Sequence, residues 1–280
     1  MAMSSPSYAP SAAKRPIGRL RRYTRILQVV ASVEFKLKYT DSALGVVWSV
    51  IKPLSYFTIL WMVFGRLFKL SSFPHYPLFL LIGIVVFTFF VDSTTTAIPS
   101  VVTAGSMIRR VSFPRPILPM ATTVTSAITF AINLGVVAIF IVASGLSPRL
   151  SWFLIPPLLI ELYAFVLGLA FLLSAAFVRY RDVGQVWELA TQLLFYASPI
   201  MYPVGFLPPW FQRFAFLNPL VQVIQDLRAV VVGSNQPHGT ITSIYGTPLA
   251  RALPVGIAFI VLGVGLTYFR RRAPHFAEEV

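Results

Sequence analysis

Residues 204–233 read VGFLPPWFQRFAFLNPLVQVIQDLRAVVVG, and this stretch decides how the rest of the chain is interpreted. It holds two apolar helical halves, Pro209–Leu217 and Pro219–Val232, that meet at Asn218. Proline lacks an N–H and disfavours helix at the residue before it, so we expect the first half to stop there. Apolar runs of about 10–14 residues are too short to cross the ~30 Å hydrocarbon core. The pattern predicts a broken, re-entrant hairpin, whose backbone must be satisfied by protein or by a water-filled cavity.

The composition places the whole chain in a membrane. Of its 280 residues 56% are apolar and only 11% are charged, and the mean hydropathy is +0.76. The net charge of +14 does not indicate nucleic-acid binding, because the basic residues cluster at the ends of apolar runs. The absence of cysteine excludes disulfides and thiolate chemistry. We expect a disordered cytoplasmic tail over residues 1–19, a single membrane domain over 20–272 and a short cytoplasmic tail over 273–280.

Six apolar segments are long enough to cross a membrane, which predicts an all-α membrane protein. They cover residues 46–68, 76–97, 118–144, 152–177, 186–204 and 253–269. Sixteen of the 23 lysine and arginine residues fall in the loops and tails on the side of the two termini. The positive-inside rule therefore predicts cytoplasmic termini and an external hairpin between the fifth and sixth spans.

An amphipathic helix is expected over residues 22–38, before the first span, because apolar residues recur there at helical spacing. Such a helix lies in the membrane interface. Glu34 falls on its apolar side, where it is placed to pair with Lys38 one turn later.

Six stretches in chain order resemble the signatures of one family. They are KLKYTDSALGVVWSVIKPL (36–54), LIGIVVFTFF (81–90), SMIRRVSFPRPILP (106–119), FVRYRDVGQ (177–185), ASPIMYP (197–203) and LNPLVQVIQDLR (217–228). The chain resembles ABC-2-type permeases, the membrane subunits of ATP-driven exporters of O-antigen, teichoic acid, capsule, galactan and related polysaccharides. The resemblance covers residues 20–272. Lys52 departs from it, since an uncharged polar residue is common there, and Glu161 matches no family role.

The resemblance implies a homodimer that carries two copies of a separate cytoplasmic ATPase. The cargo it implies is a lipid-linked polysaccharide or polyol-phosphate polymer, moved across the inner or plasma membrane. This chain contains no G-x-x-x-x-G-K-[ST] phosphate loop. We therefore assign it no catalytic residue, metal or cofactor, and expect ATP and Mg to bind to the partner ATPase.

Two cytoplasmic loops are candidates for contacting that ATPase. The resemblance implies a coupling helix just before Pro114, formed by Ser106, Met107, Ile108, Arg109, Arg110 and Val111. The alternative is that the two arginines are ordinary positive-inside anchors. In the second loop, Arg181 and Asp182 precede the fifth span, where Asp182 is placed to cap the helix or to meet the ATPase.

Polar and aromatic residues on the spans are candidates for lining a sugar path. They are Lys52 and Tyr56 on the first span, and Gln185, Glu188, Gln192, Phe195, Tyr196 and Tyr202 on or after the fifth. Polar side chains in a membrane turn towards the bundle interior or a water-filled cavity. Lys52 could instead snorkel to the headgroups or meet a pyrophosphate at the entrance. A second stripe, Thr122, Ser126, Thr129 and Asn133, favours helix packing.

The hairpin is predicted to gate the outer mouth, and the alternative is a static cap. Its candidate residues are Trp210, Phe211, Asn218, Pro219, Asp226 and Arg228. We expect Asp226 and Arg228 at the wet outer boundary, with Arg228 holding carbonyls or a carboxylate. A drug exporter of the same family is the serious alternative function. A secondary transporter would show inverted repeats, which are not visible.

Overall fold

The computed structural model describes residues 16–40, 44–70, 75–105, 114–233 and 239–276, and their regular structure is entirely helical. The main helices are α1 Pro16–Tyr39, α2 Trp48–Leu60, α3 Tyr76–Ala97, α4 Ile117–Ala143, α5 Ile155–Arg179, α6 Val183–Ala197, α7 Pro209–Leu217, α8 Pro219–Val232 and α9 Ala252–Arg272. A 3₁₀ turn, Gly45–Val47, precedes α2, and a π-helical turn, Trp61–Leu67, continues it. Shorter helical pieces are Ser100–Thr103, Leu150–Leu154, Val204–Phe206, Ile241–Tyr245, Pro248–Arg251 and Ala273–His275.

Five helical segments are long and apolar enough to cross a membrane. They are Gly45–Leu67, Tyr76–Ala97, Ile117–Ala143, Leu150–Arg179 and Pro248–His275, which confirms an all-helical chain with several membrane spans. The fifth predicted span, 186–204, is different. Its helix α6 has only 15 residues and ends at Ala197, because Pro199 follows after one residue and disfavours helix at Ser198. Fifteen residues reach about 22 Å, short of the hydrocarbon thickness.

Helix α3 is the centre of the bundle. From Leu78 to Val91 its sequence is apolar on nearly every face, as expected for a helix that is covered by other helices. It packs against α2, α4, α5, α6 and α8. Phe89 stacks on Phe130 of α4 with ring centroids 4.5 Å apart, and Phe90 lies 6.0 Å from Phe165 of α5. Helix α3 therefore sets the positions of the helices that carry the candidate site.

Helices α5 and α9 cross with their backbones in contact, and this is the most extensive helix pair among the described residues. A Cβ on Gly168 would lie 2.6 Å from the backbone nitrogen of Leu262. A Cβ on Gly265 would collide with the carbonyl oxygen of Gly168. Membrane helices use small residues for such close approach because van der Waals packing drives their association.

The broken hairpin has the bounds that its prolines predict, and its halves meet at 99°. Asn218 caps α8 by accepting a hydrogen bond from the Leu220 N–H at 3.0 Å, and Pro219 occupies the first turn. Almost all of α8 is buried against α3 and α5, whereas α7 exposes Trp210 and Phe214. The two halves therefore differ in kind, since α8 belongs to the core and α7 lies on its surface.

Helix α1 extends beyond the predicted 22–38 at both ends and packs along α4. The Thr125 hydroxyl donates to the Ala31 carbonyl at 3.2 Å, and the hydroxyls of Tyr39 and Thr129 lie 3.1 Å apart. These bonds hold the C-terminal half of α1 against α4.

Candidate functional site

A cavity of about 390 Å³ lies between α1, α2, α3 and α4, and we call it the α1-side cavity. Its polar lining includes Lys38, Lys52, Asp92, Ser126, Thr129 and Asn133. Among the described residues, Lys52 is the one channel candidate that lines this cavity.

An ion pair at this cavity ties α1 to α3. The Lys38 ammonium lies 2.9 and 2.8 Å from the two carboxylate oxygens of Asp92, and the Ser126 hydroxyl donates to the second oxygen at 2.7 Å. We call Lys38, Asp92 and Ser126 the ionic latch. The predicted pairing of Lys38 with Glu34 is wrong, because Lys38 turns to a carboxylate on another helix. Burial raises the pKa of the half-buried Glu34 carboxyl.

Reversing the charge at either end of the latch should loosen α1, and reversing both ends should restore it. Lys38→Glu and Asp92→Lys each place like charges together, and a partly exposed pair is worth about 1 kcal/mol. We expect each single variant to lower the thermal unfolding midpoint in detergent by roughly 2–4 °C. The double variant should recover most of that loss, and Lys36→Glu, on the exposed face of α1, is the matched control. If the midpoint of the double variant fell by the sum of the two single losses, the latch would be contradicted.

The polar stripe of α4 makes the cross-helix bonds that the packing interpretation predicts. The Asn133 amide donates to the Ser49 carbonyl of α2 at 3.1 Å, and Ser126 belongs to the ionic latch. Because Ser126, Thr129 and Asn133 also line the α1-side cavity, the same stripe both joins helices and gives the cavity polar groups.

Helix α6 has a buried face and an open face. On the buried face, the Trp187 indole N–H donates to the Thr94 hydroxyl at 2.9 Å, and the Phe195 ring lies 5.1 Å from that of Phe87. The opposite, exposed face carries four of the predicted channel residues: Gln185, Glu188, Gln192 and Tyr196. We call these four the polar face of α6. Phe195 does not belong to it.

The remaining channel candidates lie near this helix or on α2. Tyr56 is 62% exposed, and Lys52 is exposed at the edge of the α1-side cavity. The Tyr202 hydroxyl donates to the Tyr196 carbonyl at 2.9 Å, so Tyr202 secures the end of α6.

The predicted coupling helix, Ser106 to Val111, lies outside the described residues. Arg181 and Asp182 are both exposed, and the Arg181 guanidinium sits 5.3 Å from the Phe177 ring centroid. Asp182 occupies the residue before α6, but its side chain makes no capping hydrogen bond. The predicted side-chain cap is therefore wrong, because the exposed carboxylate accepts no hydrogen bond from the first N–H groups of α6.

Arg228 of α8 is buried and bonded on every side. Its guanidinium donates to the carbonyls of Phe79 at 2.9 Å, Pro199 at 2.7 Å and Ile200 at 2.8 Å. The guanidinium carbon lies 3.4 Å from the centroid of the Phe79 ring. Gly83 leaves the space for this group, because a Cβ there would overlap Nη2. The expected grip on carbonyls is confirmed, whereas the expected place at a wet boundary is wrong.

Asp226, two residues earlier, faces the other way and is also buried. Its carboxylate accepts from the Gln222 amide at 2.7 Å and pairs with Arg251 at 3.3 Å. The two charged residues of α8 thus make different contacts. Arg228 bonds to α3 and to the turn after α6, and Asp226 pairs with Arg251 at the start of α9. Neither lies at the wet boundary expected from the sequence.

Sequence reasoning missed Asp92, Gln222 and Arg251 as partners of the candidate residues. A signal did exist for Asp92, because an acid inside an apolar helix is costly and calls for a partner. Its partner Lys38 lies 54 residues earlier, and only the packing of α1 on α4 shows that the two meet.

Known proteins similar to this chain agree with the membrane architecture. The family model described as ABC-2 type transporter matches residues 25–232. The O-antigen export system permease protein RfbA of Klebsiella pneumoniae is 28% identical over 254 residues, covering 90% of this chain and 94% of that protein. A protein of the same name from Myxococcus xanthus is 24% identical over 268 residues, covering 95% and 99%. The polysialic acid transport protein KpsM of Escherichia coli is 23% identical over 213 residues, covering 71% and 78%. The family model matches well over half of the length of this multi-pass membrane chain, so the chain belongs to the ABC-2 type transporter family.

Proposed function

We propose that this chain is the membrane-spanning permease subunit of an ATP-driven exporter that moves a lipid-linked polysaccharide or polyol-phosphate polymer out of the cytoplasm. The names of its relatives, which are permeases for O-antigen export and a polysialic acid transport protein, support this cargo class. Cytoplasmic termini, as the distribution of basic residues predicts, require α6 and the turn after it to cross the membrane together. Helix α1 then lies at the inner interface and the hairpin at the outer one.

The observation that carries the proposal is the polar face of α6. Gln185, Glu188 and Gln192 are exposed on a helix whose opposite face is packed against α3. Polar and acidic side chains facing lipid are costly, so they mark a water-filled path or a protein partner. A second copy of the chain, placed against this face, would enclose the four residues in a channel. A homodimer therefore accounts for side chains that a single copy leaves unmatched.

The chemistry of this face suits a glycan. Amide and carboxylate groups exchange hydrogen bonds with sugar hydroxyls, and the exposed ring of Tyr196 offers a flat apolar surface to a sugar ring. Tyr56, exposed on α2, offers a second ring of the same kind. Lys52 supplies a positive charge at the α1-side cavity, where a phosphate or pyrophosphate of the carrier lipid would enter. The path needs no catalytic group, because translocation breaks no bond in the cargo.

Energy for export would come from two copies of a separate ATPase that binds ATP and Mg. The coupling segment Ser106–Val111, with Arg109 and Arg110, would take the force from that subunit, and the exposed Arg181 and Asp182 would meet it nearby. At the outer end, α7 with Trp210 and Phe211 would move as the gate. Helix α8 would stay fixed through Arg228, so the motion would be absorbed at Asn218 and Pro219.

A single cysteine at Gln192 tests the channel directly, because the chain has no cysteine of its own. In cells that make the polymer, a charged, membrane-impermeant thiol reagent should modify Gln192→Cys through the aqueous path. The added bulk should then reduce surface polymer by about tenfold or more, which corresponds to a rise of about 1.4 kcal/mol in the barrier to export. Surface polymer is measured by antibody or lectin labelling of intact cells.

Ile260→Cys is the matched control, since Ile260 is 64% exposed on α9 and its neighbours one turn away, Gly256 and Val264, are not polar. It should resist the reagent and export normally. Failure of Gln192→Cys to react, or undiminished export after complete modification, would remove α6 from the channel. If modification blocked export of a small drug but never affected export of the polymer, the chain would instead belong to a drug exporter, the alternative function.

A further inference from the structure

A second cavity, of about 360 Å³, lies between α5, α8 and α9 and is separate from the proposed channel. We call it the hairpin-side cavity. Its polar floor consists of Glu161, Gln222, Asp226 and Arg251. Its walls are apolar and include Leu158, Ile160, Val255 and Phe259. A polar floor under apolar walls is the shape that an amphiphile fills.

The floor leaves two buried acceptors without a donor. Glu161 is 5% exposed and Gln222 1% exposed, yet Oε1 of each has no partner among the described residues. Asp226 takes the Gln222 amide and the ion pair with Arg251, whose buried Nε lies 3.3 Å from the carboxylate but makes no hydrogen bond among the described residues. A buried acceptor left without a partner has lost its hydrogen bonds to water and gained none in return, which is destabilising. Two such acceptors in one cavity point to a ligand that brings N–H or O–H groups.

The charges of the floor specify the ligand further. Two carboxyl groups face one guanidinium, and that guanidinium is ion-paired with Asp226, so a cation beside Glu161 would complete the charge balance. In the α1-side cavity, by contrast, the Asp92 carboxylate is matched by Lys38 and Ser126. Of the two cavities, the hairpin-side cavity is therefore the one whose polar groups lack a positively charged hydrogen-bond donor among the described residues.

The walls show where the ligand comes from. Ile160 is 63% exposed and Phe259 is 50% exposed, and both belong to segments that qualify as membrane spans. Neither helix carries an exposed polar stripe like that of α6, so these surfaces suit acyl chains. A sugar polymer would find few polar partners along these walls.

We propose that the hairpin-side cavity binds a phospholipid with a primary ammonium headgroup. The ammonium donates to Glu161 Oε1 and Gln222 Oε1, the phosphate lies by the half-exposed Arg251 guanidinium, and an acyl chain follows Ile160, Val255 and Phe259. The bound lipid fills the angle between the start of α9 and the hairpin half α8. This site does not depend on which cargo the exporter carries.

Two lipids that differ only at nitrogen test the proposal. The full-length protein, purified in a mild detergent, is given equal amounts of dioleoylphosphatidylethanolamine and dioleoylphosphatidylcholine, and the bound lipids are counted by native mass spectrometry. The ethanolamine lipid has N–H donors, and the choline lipid has the same charge, phosphate and chains but none. We expect a preference of about tenfold for the ethanolamine lipid, the scale of one charge-assisted hydrogen bond.

Glu161→Gln keeps the shape but removes the charge, and it should reduce that preference to about twofold or less. Glu34→Gln, which removes an acid from α1, is the matched control and should keep it. Val255→Trp fills the cavity from its apolar wall and should expel both lipids, so the test survives if Glu161→Gln fails to fold. Equal binding of the two lipids by the unaltered protein, or an unchanged preference in Glu161→Gln, would overturn the proposal.

Discussion

Arg228→Met should lower the thermal unfolding midpoint of the protein in detergent by about 10 °C. The substitution leaves the Pro199 and Ile200 carbonyls without their strongest donor, in a turn that is buried and not helical. Each orphaned buried group costs about 1–3 kcal/mol, and methionine does not reproduce the flat stacking on Phe79. Removing a buried charge returns part of its desolvation cost. The net loss is therefore about 3 kcal/mol, and each kcal/mol shifts the midpoint by roughly 2–4 °C.

Two companions make this result specific. Arg228→Lys should have a midpoint between those of the unaltered protein and Arg228→Met, because one ammonium cannot reach three carbonyls in the fixed directions of a guanidinium. Arg213→Met changes an exposed arginine of α7 and should shift the midpoint by no more than about 1 °C. If Arg228→Met behaved like Arg213→Met, the three bonds would not hold α8 to the core.

Gly265→Val should prevent the protein from accumulating as a folded species. Even the Cβ of the new side chain collides with the Gly168 carbonyl oxygen, which belongs to the helix backbone and cannot rotate away. Relief requires α5 and α9 to separate along their length, and this pair is the most extensively packed in the described residues. Membrane helices have no hydrophobic effect to hold them together once packing is lost. Overpacking usually costs 1–3 kcal/mol, and a backbone clash should exceed that range.

Gly263→Val is a closely matched control, because Gly263 lies on the same helix and a Cβ there meets nothing within 4 Å. Both variants carry the same change in helix propensity, so the difference between them measures the crossing alone. Fluorescence-detected size-exclusion chromatography of tagged protein reports the folded yield. Equal yields of the two variants would show that the crossing can relax at little cost.

Local rules predicted the hairpin well. Proline fixes its own backbone and that of the residue before it, so the bounds of α7 and α8 could be taken from the sequence. The same rule, applied to Pro199, would have ended the fifth span at Ala197, but the apolar run through Val204 concealed it. Hydropathy measures length in residues, whereas crossing a membrane depends on the length of continuous helix.

Contacts between distant helices could not be predicted in the same way. Lys38 stood four residues from Glu34, which made a local pair plausible, yet the rotation of α1 on α4 turns it to Asp92. For Arg228 the kind of partner was predictable, since a buried guanidinium seeks carbonyls, but the depth was not. That depth depends on how α3 and the turn after α6 close around α8, and a single sequence carries no direct signal of it.

The three carbonyls around Arg228 also constrain the order of biogenesis. Phe79 precedes Arg228 by 149 residues, and Pro199 and Ile200 emerge only shortly before it. At roughly 5–20 residues per second, a ribosome makes Arg228 about 7–30 s after Phe79. During that interval α3 enters the bilayer with the space beside Gly83 unfilled, and the guanidinium, once made, has to remain hydrated until α3 is beside it. Docking of α8 is therefore a late, post-insertion event, and a nascent chain stalled before residue 228 would lack the three hydrogen bonds that hold α8 to the core.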